Sequence, residues 1–342
     1  MKKRLGRWLR RGLGLLAILV LLALLTGAVY QWVASTRAIK RHPAPGQLVD
    51  IGGYRLHIRC LGAGEPTVIL EAGGGGSSLD WGQIQPKIAP LTRACAYDRA
   101  GVGWSDQSPH PVEHAPDDLD ALLRTARVPG PYVLVGASLG GLFSQQFAYA
   151  HPQMIVGLVL VDAAHPDLAT RSSADAKRAE KRLAGLLTAF SYVSYFGLTR
   201  ALDMSMGPPP RVLPPDERDA AAAVGFRPGW YRVTAQSLHE FDRICARVQA
   251  VKRPLTIPIV VISHGKPDQI IPFMSREANA QHERLWSELQ QDLTRLSPQA
   301  RQTIVPDSGH MIAFDRPDVV VTAVRDVVEA VRSNTPLQLT PK

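Results

Sequence analysis

YVLVGASLGGLFSQQFAYAHP, residues 132–152, passes from a short apolar run through Gly-Ala-Ser-Leu-Gly directly into a helical pattern. Four strand-forming residues bounded by glycine read as a buried strand. The next apolar positions repeat with helical spacing, so strand and helix meet with no loop between them and Ser138 stands at the turn. Gly136 and Gly140 lack a Cβ, which lets strand and helix approach closely around a serine in a strained backbone conformation. That context turns a weak G-x-S-x-G match into the pattern of a nucleophile elbow, with Ser138 Oγ exposed at the sheet edge beside the first helical N–H groups. The plain alternative is a serine that caps a helix.

Apolar runs of similar length recur on both sides: QLVDI, YRLHIRC, TVILEA and ACAYD before the turn, IVGLVLVD, IPIVVIS and QTIVP after it. Helical candidates lie between them, in DWGQIQPKIAPL, APDDLDALLRTAR, MSREANAQHERLWSELQQDLTRL and PDVVVTAVRDVVEAVR. The first strands follow one another directly and the later ones alternate with helices, the pattern of a mostly parallel α/β sheet covered on both faces. Residues 163–255 break the alternation: they hold helical stretches and no convincing strand. An insertion of that length reads as a helical cap over the carboxyl edge of the sheet. The expected organisation is a basic segment and anchor at 1–36, a linker at 37–47, a core at 48–162 and 256–333, the cap at 163–255 and a tail at 334–342.

The net charge of +9 is confined to the N-terminus. Nine basic residues precede Asp50, the first acidic one, and the remainder holds 30 Lys and Arg against 30 Asp and Glu. The excess marks membrane targeting and gives no reason to expect nucleic acid. No charge occurs from Gly12 to Thr36, and Leu13 to Val33 would make about 31 Å of helix, enough for a bilayer core of about 30 Å. The uncharged run exceeds a signal peptide's usual apolar core, which favours a retained anchor, although LLALLTGA could be cleaved near Ala28 to give a secreted protein. The six cations before the run predict a cytoplasmic N-terminus and a globular part on the outer side. Three cysteines, Cys60, Cys95 and Cys245, cannot all pair; Cys60 and Cys95 could form a disulfide in an oxidising compartment, and three buried thiols are the more ordinary expectation.

A serine hydroxyl needs a base. His310, in VPDSGHMIAFDRPDVV, follows the last strand and precedes the terminal helix. Two carboxylates compete to orient it: Asp268 in ISHGKPDQIIP, after the penultimate strand, and Asp162, which closes VGLVLVD. The chain order Ser, Asp, His slightly favours Asp268. An oxyanion needs two N–H donors. Leu139 supplies one, and the Gly73–Gly76 run after TVILEA supplies the other, with Gly74 the candidate. A phosphate cradle is excluded there by the missing Lys-Ser/Thr of a P-loop.

GASLGG, SGH before the last helix, HGKPD after the penultimate strand and YDRAGVGWSD (Tyr97–Asp106) make the chain resemble the α/β-hydrolase fold family from about Leu48 to Ser333. The resemblance implies an eight-stranded, mostly parallel sheet with a first antiparallel pairing and a helical cap inserted between strands 6 and 7. It also implies hydrolysis through an acyl-enzyme, with Asp98 and Arg99 bracing the site and no metal or cofactor. Many relatives carry His-Gly at the start of the oxyanion loop where this chain has EAGGGG. The expected function is cleavage of a carboxylic ester or related acyl bond in a small-molecule substrate, which a membrane-tethered site makes hydrophobic. Thioesterase, amidase, carbon–carbon hydrolase or lyase chemistry is the alternative on the same fold. A membrane-anchored binding protein, docking a partner through MGPPPRVLPP (Met206–Pro215), is the alternative outside it. Phe190, Tyr192, Tyr195, Phe196 and Trp230 are the expected lining of an apolar acyl pocket.

Overall fold

The computed structural model describes residues 2–208, 213, 215–267 and 271–338, the side chains of residues 2–7 and 216 excepted. Eight strands form one sheet: β1 (Gln47–Asp50), β2 (Arg55–Leu61), β3 (Thr67–Glu71), β4 (Ala94–Tyr97), β5 (Tyr132–Ala137), β6 (Ile155–Val161), β7 (Ile259–His264) and β8 (Ala300–Val305). Their order is β1-β2-β4-β3-β5-β6-β7-β8. β1 and β2 pair antiparallel, as do β2 and β4, and the pairings from β4 through β8 are parallel. Side chains alternate between faces along a strand, so a strand covered on both sides must be apolar throughout. In β5, Leu134 joins the core of one face, while Val133 and Val135 join that of the other.

Helices cover both faces. The chain's first helix, α1 (Lys2–Arg41), precedes the sheet; α2 (Gln85–Ile88), α3 (Ala115–Thr125) and α4 (Leu139–Ala150) follow within it. DWGQIQPKIAPL, expected as one helix, is a 3-10 turn at Ser78–Trp81 followed by the single turn of α2, which Pro86 opens. Between β6 and β7 lie six helices: α5 (Leu168–Arg171), α6 (Ala174–Ser194), α7 (Leu198–Ala201), α8 (Pro215–Val224), α9 (Pro228–His239) and α10 (Phe241–Val251). α11 (Arg276–Asp292) fills the interval between β7 and β8, and α12 (Ile312–Asp315) and α13 (Pro317–Ser333) end the described chain. Half of the Pro-rich Met206–Pro215 segment, residues 209–212 and 214, lies outside the described residues.

Two expectations are revised. α1 continues to Arg41, so much of the segment read as a linker is helical. Cys60 and Cys95 are joined, because the antiparallel register sets them opposite each other on β2 and β4; only Cys245 is a free, buried thiol.

Helix α4 approaches the sheet closely at Gly140. A Cβ there would lie 2.4 Å from the Ala72 carbonyl oxygen and 2.6 Å from that of Glu71. Both are backbone atoms, so Gly140→Ala must displace α4 from β3. Overpacking of this kind costs about 1–3 kcal/mol. Thermal unfolding of the full chain in detergent is expected at a Tm several degrees below the parent's; an unchanged Tm would show that α4 and β3 are not this close.

Candidate active site

Parallel neighbours deliver their carboxyl ends to one edge of the sheet, and the functional residues come from there. Ser138 follows β5 and Asp162 follows β6, while His264 ends β7 and His310 comes after β8. Ser138 has φ 49° and ψ −120°, and Asp162 has φ 42°. Left-handed backbone at non-glycine residues costs of order 1–3 kcal/mol and persists only where the surroundings enforce it. Here they do: Ser138 N–H donates to Val161 O at 3.1 Å, Asp162 N–H to Ile262 O at 2.7 Å, and Ala164 N–H to Ser138 O at 2.9 Å.

The side chains form a continuous chain of hydrogen bonds. Ser138 Oγ lies 3.1 Å from His310 Nε2, and His310 Nδ1 lies 2.6 Å from Asp162 Oδ2. The Trp286 ring meets the His310 ring edge-on at 5.3 Å, which limits its rotation. Among the described residues the carboxylate against His310 is Asp162; Asp268 lies outside them.

His264 was not singled out by sequence reasoning. Its Nδ1 lies 2.7 Å from Asp162 Oδ2, the same oxygen that His310 meets, and its backbone N–H donates to Asp162 Oδ1 at 3.2 Å. Its Nε2 lies 2.5 Å from Glu283 Oε1, on α11. Burial opposes charge on His264, but the bonds to Asp162 and Glu283 outweigh it and raise the imidazole to about 9. Burial likewise opposes charge on Asp162, yet the two imidazoles hold its carboxyl down at about 2. A histidine closing a strand one place along the sheet from Asp162 was the available signal; nothing local marks Glu283.

The turn after β3 lies directly against the serine. A Cβ on Gly73 would touch Ser138 Cβ at 3.4 Å, and one on Gly74 would touch Leu139 Cδ2 at 3.6 Å. Arg99 holds this turn from behind: it donates to Ala72 O at 2.6 Å and to Gly73 O, pairs with the buried Glu71, and lies over the Phe143 ring. Asp98 accepts from Ser78 N–H at 2.7 Å, Trp104 N–H at 3.0 Å and His57 Nδ1 at 2.8 Å. Leu139 is the first residue of α4, so its N–H is among those without an intrahelical acceptor.

Ser138, Leu139, Gly74 and His310 share a cavity of about 400 Å³. Its apolar wall includes Leu168, Leu183, Leu187, Leu238, Phe241 and Trp286. The expected aromatic lining is elsewhere. Tyr192, Tyr195 and Phe196 are exposed, and Trp230 is fully buried with its indole N–H on Gly75 O at 2.6 Å.

Among the described residues, two groups of side chains have donor atoms close enough to share a cation, Asp162 with His264 and His310, and His165 with Asp167 and Asp292. In the first, the donor atoms bond one another, as described above. In the second, His165 Nδ1 accepts the Asp167 N–H at 3.0 Å.

Solved structures and sequences resemble the chain over most of its length. A thermophilic esterase from Thermogutta terrifontis superposes with a TM-score of 0.57 at 22% identity, covering 81% of this chain and 94% of that one. An alpha/beta hydrolase fold protein from Burkholderia ambifaria does so with a TM-score of 0.57 at 21% identity, covering 82% and 99%. Among curated sequences, "Probable transporter efuK" of Hormonema carpetanum is 28% identical over 310 residues, which cover 82% of this chain and 42% of that protein. The chain thus spans about two fifths of that relative's length. The model of the alpha/beta hydrolase family matches residues 68–323, which include the elbow, both imidazoles and Asp162. With the sheet order and the carboxyl-edge site, that match shows that the chain belongs to the alpha/beta hydrolase family.

Proposed function

We propose that the chain is a membrane-anchored serine hydrolase that cleaves a carboxylic ester or related acyl bond through Ser138, His310 and Asp162. The observation that carries this reading is the hydrogen-bonded run from Ser138 Oγ to His310 Nε2 and from His310 Nδ1 to Asp162. His310 takes the Ser138 proton as Oγ attacks the acyl carbon, and Asp162 stabilises the imidazolium that forms. The oxyanion is met by the N–H groups of Leu139 and Gly74. His310 then gives its proton to the leaving group, and water, activated by the same imidazole, releases the acyl group from Ser138. The apolar cavity beside Ser138 holds the acyl chain.

His264 is a positioning residue in this scheme: it fixes the Asp162 carboxylate without touching substrate. The domain organisation fits the same reading, with the helices between β6 and β7 as the cap. α1 crosses the membrane with its basic N-terminus in the cytoplasm. The joined Cys60 and Cys95 support an oxidising compartment for the folded part.

Three outcomes are expected. Turnover of p-nitrophenyl esters by Asp162→Asn falls about 10³–10⁴-fold, because the asparagine favours the wrong His310 tautomer. Asp268→Asn is expected to lose less than about tenfold; the reverse ranking would reassign the acid.

The second outcome concerns pH. An unfolded histidine titrates near its ordinary value of 6.5 and folded His264 at about 9, so its stabilisation is complete below the first value and lost as pH rises through the second. The gap in Tm between the full-length parent and His264→Gln therefore narrows from pH 6.5 to 9. A gap constant over that window would show that His264 does not carry the proton.

The third separates ester from related chemistry. Against matched ester, thioester and amide substrates the parent is fastest on the ester. Greater kcat/KM on thioester or amide would move the assignment within the family, and no turnover of any by a folded parent would favour a binding protein.

A further inference from the structure

The aromatic residues that the cavity does not use lie together on one surface. Tyr192, Tyr195, Phe196, Leu198 and Leu202, from the end of α6 through α7, are all exposed, Tyr192 at 68% and Leu202 at 58%. From Leu183 to Leu202 the sequence has one charged residue, Arg200, and no acid. Arg200 is turned towards α1: its Nε donates to Gln31 Oε1 at 3.2 Å and its Nη2 to Ser35 Oγ at 3.4 Å, and its guanidinium covers the Phe226 ring at 4.7 Å. What remains exposed is an aromatic and aliphatic patch free of charge, which on a soluble surface marks an interaction site.

The contact with α1 identifies what covers it. A Cβ at Gly27 would sit 2.3 Å from the Phe196 carbonyl oxygen, and one at Gly197 would lie 3.0 Å from the Tyr30 ring. Gln31, buried at this crossing, donates to Phe226 O at 2.8 Å. The patch is therefore fastened to α1 at Gly27–Gln31. Arg10 and Arg11 fix the other end of the uncharged run, and about 20 residues of helix cross a bilayer core. Counted from Gly12, that length ends at Gln31. Gly27 then lies four residues, about 6 Å, inside the apolar layer. A surface held there cannot stand clear of the bilayer. Interfacial segments bury their apolar face about 5–10 Å into the headgroup boundary, and tyrosines concentrate at that level.

We infer that the surface formed by Tyr192, Tyr195, Phe196, Leu198 and Leu202 docks on the bilayer that α1 spans and seats these helices in its interfacial layer. The occupant is lipid, on the side of the membrane that carries the folded domain. α6 links this surface to the cavity: Leu183 and Leu187 line the cavity, and Tyr192 follows about 7.5 Å further along the helix axis. For the proposed hydrolase, a lipophilic ester would pass from the bilayer to Ser138 without crossing bulk water. That consequence rests on the proposed hydrolase activity; the docking rests only on the proposed span by α1.

The test uses the full chain in phosphatidylcholine–phosphatidylglycerol vesicles with one nitroxide label per protein. Labels are placed at Leu21→Cys in the apolar run, at Tyr195→Cys and Leu202→Cys on the patch, and at Arg178→Cys on the exposed early part of α6. The native cysteines do not compete, since two are bonded and Cys245 is buried. Labels at 21, 195 and 202 are expected to relax several-fold more with oxygen than with a water-soluble nickel complex, and the label at 178 to do the opposite. Labels at 195 and 202 as open to nickel as that at 178, with the label at 21 in lipid, would overturn the inference. So would a label at 21 open to nickel. Fluorophosphonate labelling of Ser138 in the same vesicles is expected in all four variants, so loss of docking and loss of catalysis are read separately.

Discussion

The site depends on one buried carboxylate. Asp162 has no exposed side-chain surface, and a charge so placed is tolerated only where hydrogen bonds replace the lost water. Three groups do so here: the His310 and His264 imidazoles, which meet one oxygen, and the His264 backbone N–H, which meets the other. Removing any of them would leave a partly unpaired charge in the interior. The positive φ of 42° at Asp162 lies at the same point. Glu283 completes the arrangement from the far side of the His264 ring, 2.5 Å from Nε2.

Much of this was legible in the chain. Ser138 and His310 each follow a strong apolar strand and precede a helix, so their sheet-edge positions could be read from pattern alone. The strand count, the parallel majority and the break after residue 162 came from the same periodicity. The choice between Asp162 and Asp268 did not, because both follow a strand at the same edge. What favours Asp162 is the place of β6 between β5 and β7, together with a second histidine that closes β7. Pairing across a sheet is a long-range property with no local signature. The same holds for Cys60 and Cys95, which face each other only through the register of β2 and β4.

The aromatic residues of the α6–α7 region show a different limit. Composition identified them as apolar and suggested a pocket. The helical face that reaches the cavity is instead set by Leu183 and Leu187, while Tyr192, Tyr195 and Phe196 belong to the end of α6 nearest α1. A sequence pattern does not distinguish an inner from an outer apolar surface, since both are built from the same residue types. The N-terminal helix and the helices between β6 and β7 thus pack together, although Gln31 and Arg200 are 169 residues apart in sequence. Their contacts at Gly27, Gln31 and Arg200 fix the surface beside the cavity against α1.

The most direct measurement of the central claim is intact mass after brief exposure of the full chain to a fluorophosphonate, beside Ser138→Ala. The account predicts a single adduct on the parent, lying on Ser138 by peptide mapping, and none on the variant. A folded parent that remains unlabelled, or an adduct that persists in Ser138→Ala, would contradict it.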